Sequence, residues 1–270
     1  MYSLARHFAD TGTYRAGTGR PWLGDPGGTL VTLEGVWGAG KTTAAQLAGT
    51  RLRDAGFSVT VVHYGGEPGT IGRLSQFLET APLRARTGVG GYQSPHHGAV
   101  DVLLRLCREA HHHRSCFGPA LANNDVVIVD HGVYSKIAWA LTVLTETMPD
   151  ADADELLGVV HTITAAWFCV PDLPVHLDTP WPLARERAIS RGHGGGNPAA
   201  IERLLFLPRY VESYRQVLAA HVPHAHRVQV GLRPPEAIAD EVTAAVLDLL
   251  RAEPQNPGRM PEPVLTDRRS

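Results

Sequence analysis

The chain has 270 residues, 43% of them hydrophobic, and a formal net charge of −2. That length suits a single α/β domain with a full core, and the charge gives no steering toward nucleic acid or an anionic membrane. Cys107, Cys116 and Cys169 show neither metal spacing nor a paired framework, which fits a reducing cytoplasm.

Residues 1–28 carry no sustained period and read as a flexible arm. No apolar stretch precedes Trp22, so the arm does not read as a signal peptide. No apolar run reaches membrane-spanning length. Thr29–Leu33 is aliphatic and β-branched, a buried strand. Gly35, Val36, Trp37, Gly38, Ala39, Gly40, Lys41 and Thr42 then follow the pattern G-x-x-x-x-G-K-[ST]. A strand, a glycine loop and a helix start in that order direct backbone N–H groups at phosphate. Lys41 is expected at the β- and γ-phosphates of ATP, and the Thr42 hydroxyl on Mg²⁺. Ala39 and Thr43 complete the cradle.

Thr43–Ala55 reads as a helix stopped by Gly56, and Phe57–His63 as a second strand. Gly65–Thr70 is a loop, Ile71–Glu79 a short helix, and Arg84–Pro95 a glycine-rich loop. A long helix is predicted over His96–Ala122, with Val100, Leu103, Leu104 and Cys107 at helical spacing. Asp125–Asp130 is a nearly all-apolar strand ending in an acid, as expected of a central parallel strand. Helices over Val133–Thr147 and Ala151–Trp167, a strand at Leu173–Asp178 and a helix at Trp181–Arg191 follow. After a glycine loop come a helix over Ala199–Ala220, a strand at His226–Val230 and a helix over Pro235–Arg251. The tail from residue 253 carries four prolines and reads as disordered. Strands alternating with helices predict a three-layer fold, a five-stranded parallel sheet between helices. The ligand crevice then lies at the strand carboxyl ends, where the phosphate loop, Glu67, Asp130 and Asp178 sit.

Phosphoryl transfer needs a cradle, a metal site, mobile cations and an acceptor pocket. Asp130 is the candidate metal ligand or base. Arg185, Arg187 and Arg191 precede Gly194-Gly195-Gly196, whose freedom permits a lid over about 187–203. His111-His112-His113 cannot share one ion, because adjacent helix residues diverge, although His111 could face the crevice singly. The Trp37 ring either stacks on a substrate or plugs the core.

The chain resembles thymidylate kinases from Thr29 to about Leu250, and deoxynucleoside kinases more loosely. LEGVWGAGKTT is similar to the family's F-E-G-x-D-G-A-G-K-[ST]-T. GEPGT at Gly66–Thr70 is similar to R-E-P-G-G-T, and the Asp125–Asp130 strand leads to a D-R-like pair. LDTPWPLARERAISRG at Leu177–Gly192 is similar to the segment entering the lid. Arg209 and Tyr214 fall where the next helix usually carries Arg and Tyr. The resemblance implies ATP·Mg²⁺ as donor, a nucleoside monophosphate as small-molecule acceptor, and often a homodimer. Gly38 stands where some members place a catalytic Arg, which implies that Arg187 and Arg191 supply that charge.

The departures cluster on the acceptor side. The loop Asp that faces the sugar 3′-hydroxyl is Trp37, and the Arg of R-E-P-G-G-T is Gly66. The D-R pair is Asp130-His131, followed by Gly132. The helix Arg aligns with Glu109, with Arg108 one place off. Trp37, Glu67, Arg108, His111, His131 and Tyr134 are therefore the candidate acceptor residues. The missing arginines predict weak or absent dTMP turnover. A kinase of a nucleoside or specialised-metabolite hydroxyl is the alternative. A non-catalytic nucleotide-binding protein is a third reading, opposed by the intact Lys41, Thr42 and Asp130. A switch GTPase and a transporter ATPase lack their N-K-x-D and L-S-G-G-Q signatures.

Overall fold

The computed structural model describes residues 27–63, 85–86, 92–93, 98–190, 198–222 and 225–252. Most of the 1–28 arm, Glu67, the helix expected over 71–79, Arg191, the lid glycines and the 253–270 tail lie outside them.

β1 (Thr29–Glu34) is buried at every position, and so is β5 (Val126–Val129). Such runs form strands covered on both faces. β1 pairs in parallel with β5 and with β6 (Leu173–Asp178). β2 (Val59–Val62) extends the sheet beyond β5, and β7 (His226–Gln229) beyond β6, both in parallel. The order is β2-β5-β1-β6-β7. The five-stranded parallel sheet expected from the alternation of elements is thus present.

Side chains alternate across the sheet. Val31, Leu33, Ile128, Val175 and Leu177 join a cluster under α1 (Lys41–Asp54). A C-terminal helix of residues 235–252 packs beside α1 on that face. Leu30, Val127 and Val129 face the other way, toward Phe117 and Leu121. A separate apolar cluster joins Leu106, Ile137, Leu141, Leu157, Phe168, Tyr210 and Val217. Each fully buried aliphatic side chain is worth ~1.5–3 kcal/mol, so these clusters dominate the driving force.

The helix predicted over residues 96–122 is one helical run in three parts. They are α2 (Gly98–His112), a π-turn (His113–Phe117) and α3 (Gly118–Asn123). Gly118 N–H bonds back to His113 O, and Pro119, which has no N–H to give, sits in the first turn of α3. The Arg84–Pro95 stretch departs from a plain loop. β3 (Ala85–Arg86) and β4 (Tyr92–Gln93) form a two-residue antiparallel ladder, too short to leave a periodic signal. α4 (Val133–Thr147) follows β5, and α5 (Ala153–Trp167) starts where Asp152 caps the N–H groups of Asp154 and Glu155. α6 (Trp181–Ala188) ends its α-helical hydrogen bonding before the expected Arg191. α7 (Pro198–His221) and α8 (Pro235–Ala252) complete the fold.

Candidate active site

The loop between β1 and α1 is bent by Gly35, Gly38 and Gly40, all at positive φ. At Gly38 a glycine is required twice over. Its φ is +82°, and a Cβ would lie 2.1 Å from Ala184 O in α6. The position where the family places a catalytic Arg has no room for a side chain here. Ala39 is buried, and its N–H bonds Val36 O at 3.2 Å, tightening the loop. Gly40, in the left-handed conformation, is the N-cap of α1 and has no side chain to cap its first N–H groups. Thr43 is half-buried in that first turn. Lys41 folds over the loop, its Nζ donating to Gly35 O at 2.7 Å and Val36 O at 3.0 Å.

The Thr42 hydroxyl donates to Asp130 Oδ2 at 2.8 Å, joining the α1 start to the β5 end. Asp130 is buried, and His63 Nδ1 at the end of β2 meets the same oxygen. Two strand ends and one helix start thus converge on one carboxylate. Sequence reasoning assigned His63 no role, because one strand-end histidine is no signal until pairing order is known. Oxygen donors from a buried carboxylate and a hydroxyl fit a hard cation that keeps most ligands from water and phosphate. The residues therefore fit Mg²⁺. Among the described residues no three His, Cys, Asp or Glu side chains gather to hold a metal alone, which such a site does not need.

A second buried network anchors the loop from behind. Gly35 N–H donates to the Tyr214 hydroxyl at 3.0 Å, and Tyr214 donates to Ser135 Oγ. Ser135 donates both its Oγ–H (2.6 Å) and its N–H (2.7 Å) to Glu34 Oε2. Burial pushes the Glu34 carboxyl up, opposed by the bonds from Ser135 and Thr32. Gly132 makes room for this carboxylate: a Cβ there would lie 2.0 Å from Glu34 Oε1. The aromatic that the family carries after its D-R pair would collide with it. Sequence reading noted Tyr214 by position only and missed Glu34 and Ser135. An acid at the end of an aliphatic and β-branched strand is the available signal.

α2 and α4 together carry a cluster of cations. α2 presents Arg105, Arg108 and Glu109, and α4 presents Lys136. Glu109 is 3% exposed and Lys136 7%. Arg108 Nη2 donates to Glu109 Oε1 at 2.9 Å, and Lys136 Nζ lies 3.5 Å from the same oxygen. Desolvation pulls Lys136 down to about 7; Glu109 opposes the shift and Arg108 adds to it. Desolvation likewise holds the His131 imidazole well below its usual value, with Lys136, Lys41, Arg108 and His63 adding to the effect. Arg105 bonds Asp101 and covers the Trp139 ring at 4.8 Å.

Trp37 is half-buried and packs on Phe206 and Tyr210, with ring centroids 5.6 and 5.2 Å away. It joins the core from within the loop, so one alternative for this ring, the plug, is realised. Tyr134 is half-buried against the same cluster. His111 is exposed while His112 and His113 are buried. His113 accepts the Cys169 N–H at 2.9 Å and stacks on Phe168, a core role. The divergence of the three histidines is as the helix geometry requires.

Arg187 Nη2 donates to Gly231 O at 3.1 Å, which ties α6 to the turn after β7. Arg185 lies over Trp181. Asp178, expected at the crevice, binds Arg227 Nε at 3.0 Å and Gln229 Nε2 at 2.8 Å and so latches β6 to β7. A cavity of about 600 Å³ opens between α6, α7 and the β6–β7 edge, with Val36, His176, Thr179, Trp181 and Tyr214 among its walls. Lys41, Thr42 and Asp130 do not line it.

The chain is similar to a thymidylate kinase of Thermomicrobium roseum, 31% identical over 238 residues, covering 84% of this chain and 99% of the relative. It is 30% identical over 209 residues to a probable thymidylate kinase of Methanospirillum hungatei, covering 77% of this chain and 89% of the relative. A thymidylate kinase of Xanthomonas campestris is 31% identical over 235 residues, 84% of this chain and 88% of its own. No protein-family model matches the chain.

Proposed function

The chain belongs to the thymidylate kinase family, and from that premise we propose that its acceptor is a nucleoside 5′-monophosphate whose 3′-hydroxyl no carboxylate reads. The protein is a phosphotransferase that moves a phosphoryl group from ATP to a nucleoside monophosphate. The observation that carries the reading is the Thr42–Asp130 contact at 2.8 Å beside the phosphate loop.

An acceptor phosphate oxygen attacks the γ-phosphorus, the β–γ bridging P–O bond breaks, and its electron pair leaves on ADP. A dianionic acceptor has no proton to surrender, so positioning and charge do the work. The loop N–H groups and Lys41 hold the donor phosphates. Mg²⁺, when bound, neutralises charge on those phosphates, and Thr42 and Asp130 would hold it. We assign Arg191 to the transferring group. Arg187, one turn earlier, anchors that segment on Gly231.

Trp37 favours a second reading. Its ring offers no carboxylate to a sugar hydroxyl, so an acceptor other than dTMP is compatible with the site. The test is ADP release by purified protein with dTMP, 3′-deoxythymidine monophosphate, dUMP, thymidine and simple alcohols. Turnover of the monophosphates, with dTMP slower than in an ordinary thymidylate kinase, is expected. Turnover of thymidine or an alcohol alone would replace this reading with the hydroxyl kinase.

We further propose a cytoplasmic homodimer. Val100, Leu103 and Leu104 form an exposed stripe on α2, and Val159 and Trp167 are exposed on α5, which packs against α2. Sedimentation of wild type and Leu103→Glu tests it, a monomeric wild type being the refuting result. No helix among the described residues is long and apolar enough to cross a membrane. Residues 29–252 are taken as the kinase domain, with an arm before it and a tail after it.

A further inference from the structure

β6 and β7 carry different chemistry on their two faces. Val175, Leu177, Val228 and Val230 pack into the cluster under α1. His176, Asp178, Arg227 and Gln229 alternate with them and so face the other way. In register, His176 lies beside Arg227 and Asp178 beside Gln229. A covered parallel sheet is apolar on both faces as a rule. Here α7 sets Val211 and Leu218 opposite the polar side, and the cavity of about 600 Å³ lies between. Protein interiors leave few voids larger than a water molecule. This volume falls instead in the range of small-molecule sites, ~300–1,000 Å³.

The chemistry of the walls sets what fits. Val211 and Leu218, with Val222 just beyond α7 and Trp181 of α6, make an apolar side suited to a ring. The His176 ring lies along Tyr214, with centroids 5.9 Å apart and planes at 24°. Neither ring nitrogen of His176 has a hydrogen-bond partner among the described residues. Desolvation lowers its pKa to about 4, so the neutral imidazole offers one donor and one acceptor. Asp178 Oδ2 takes the bonds from Arg227 and Gln229, which leaves Asp178 Oδ1 and Gln229 Oε1 as acceptors. Thr179, also on the wall and 6% exposed, has a buried hydroxyl without a partner, a costly arrangement. Arg227 is matched by Asp178 and Arg215 by Glu212, so each formal charge on the wall has its counter-charge.

We propose that this cavity is a second ligand site, for an uncharged planar nitrogen heterocycle with both an N–H donor and a carbonyl acceptor, and that its occupation weakens ATP binding. The ring sits against the apolar side, and His176, Asp178 and Gln229 meet its polar edge. The coupling, which rests on the ATP-donor reading above, runs through two residues of the wall. Val36 lines the cavity, and its carbonyl accepts from Lys41 Nζ at 3.0 Å. Tyr214 lines it too, and its hydroxyl accepts the Gly35 N–H at 3.0 Å. A ligand packed on both favours the loop in which Lys41 is bonded to the Gly35 and Val36 carbonyls. ATP must draw Lys41 to its phosphates. The two ligands favour different states of one loop and therefore oppose each other.

The experiment uses the full chain with quinazolin-4-one as the probe and 3-methylquinazolin-4-one, which lacks the N–H, as its control. Calorimetric titration should give a Kd below about 1 mM for the probe and binding weaker by about tenfold for the control. Ala219, exposed on α7 and on the cavity wall, is replaced to fill the space. Ala219→Phe should weaken the probe by about tenfold or more and leave melting and ATP-analogue affinity as in wild type. His176→Phe keeps a ring beside Tyr214 and should lose the probe likewise, a second variant should the first misfold. Saturating probe should raise the Kd of a non-hydrolysable ATP analogue by about fivefold or more, up to a ceiling. A rise without a ceiling means one shared space and overturns the separate site. No probe binding, or equal binding by the control and by both variants, overturns the cavity as the site. Probe binding with unchanged ATP-analogue affinity overturns the coupling. These titrations need no turnover, so a protein that phosphorylates no acceptor but binds the probe as expected overturns the kinase reading and not the site.

Discussion

Tyr214→Phe removes one hydroxyl from the back of the phosphate loop. That hydroxyl accepts the Gly35 N–H at 3.0 Å and donates to Ser135 Oγ, and Tyr214 is 2% exposed. The substitution leaves a buried N–H without its acceptor and removes a donor from the serine that supports Glu34. Unmade buried bonds of this kind cost ~1–3 kcal/mol each, so a loss of about 2–4 kcal/mol is expected. In a protein of this size 1 kcal/mol moves Tm by about 2–4 °C, giving a fall of about 4–16 °C. The consequence reaches the ligand, because Gly35 O also accepts from Lys41 Nζ at 2.7 Å. The ATP KM should rise with the loss of Tm. Calorimetric melting and ATP titration of the purified variant measure both. Ser135→Ala combined with Tyr214→Phe should cost less than the sum of the singles, since both act on one chain of bonds. A Tm within about 2 °C of wild type and an unchanged ATP KM would refute the claim that this network holds the loop.

Three other outcomes are expected. Lys41→Ala abolishes phosphoryl transfer to every acceptor, and full activity in that variant would end the mechanism. Gly38→Ala costs stability and ATP affinity together, since its Cβ would lie 2.1 Å from Ala184 O at a φ of +82°; a variant with wild-type melting and ATP KM would show that the loop and α6 part easily. Lys136 carries a pH signature. Its pKa falls from 10.5 to about 7, mainly by desolvation, with Glu109 and Arg108 the nearest charges and Arg105 and His131 also facing it. Between those values the unfolded chain holds one more proton than the fold, so this group's contribution to stability grows with pH across that window. It is lost as pH falls through about 7. Urea unfolding at about pH 7 and pH 9 should show wild type gaining on Lys136→Met; a gap that does not change with pH would be the contrary result.

Much of this was legible in order along the chain. The phosphate loop, the apolar strand ending in Asp130 and the helical run before it are local patterns, set by residue type and spacing. Their physics is short-range: β-branched runs extend, glycines take positive φ, and a parallel sheet buries strands on both faces. The five strands and the donor cradle therefore needed no coordinates. The short β3–β4 ladder and the π-turn before Pro119 escaped, because each depends on a few bonds that leave no periodic trace.

What tertiary structure alone decided is which distant groups meet. Trp37 went to the Phe206–Tyr210 cluster because α7 offers a ring-lined surface, 169 and 173 positions away in the chain. Asp178, at the end of β6, is bonded by Arg227 and Gln229 on the neighbouring strand. Lys136 found Glu109 across two helices, and His63 found Asp130 across two strands. None of these pairs has a sequence spacing that marks it. The motif marks the proposed donor-phosphate site along the chain. The proposed acceptor wall is written in charges whose meaning depends on packing, since a buried lysine tells nothing until its partner is known.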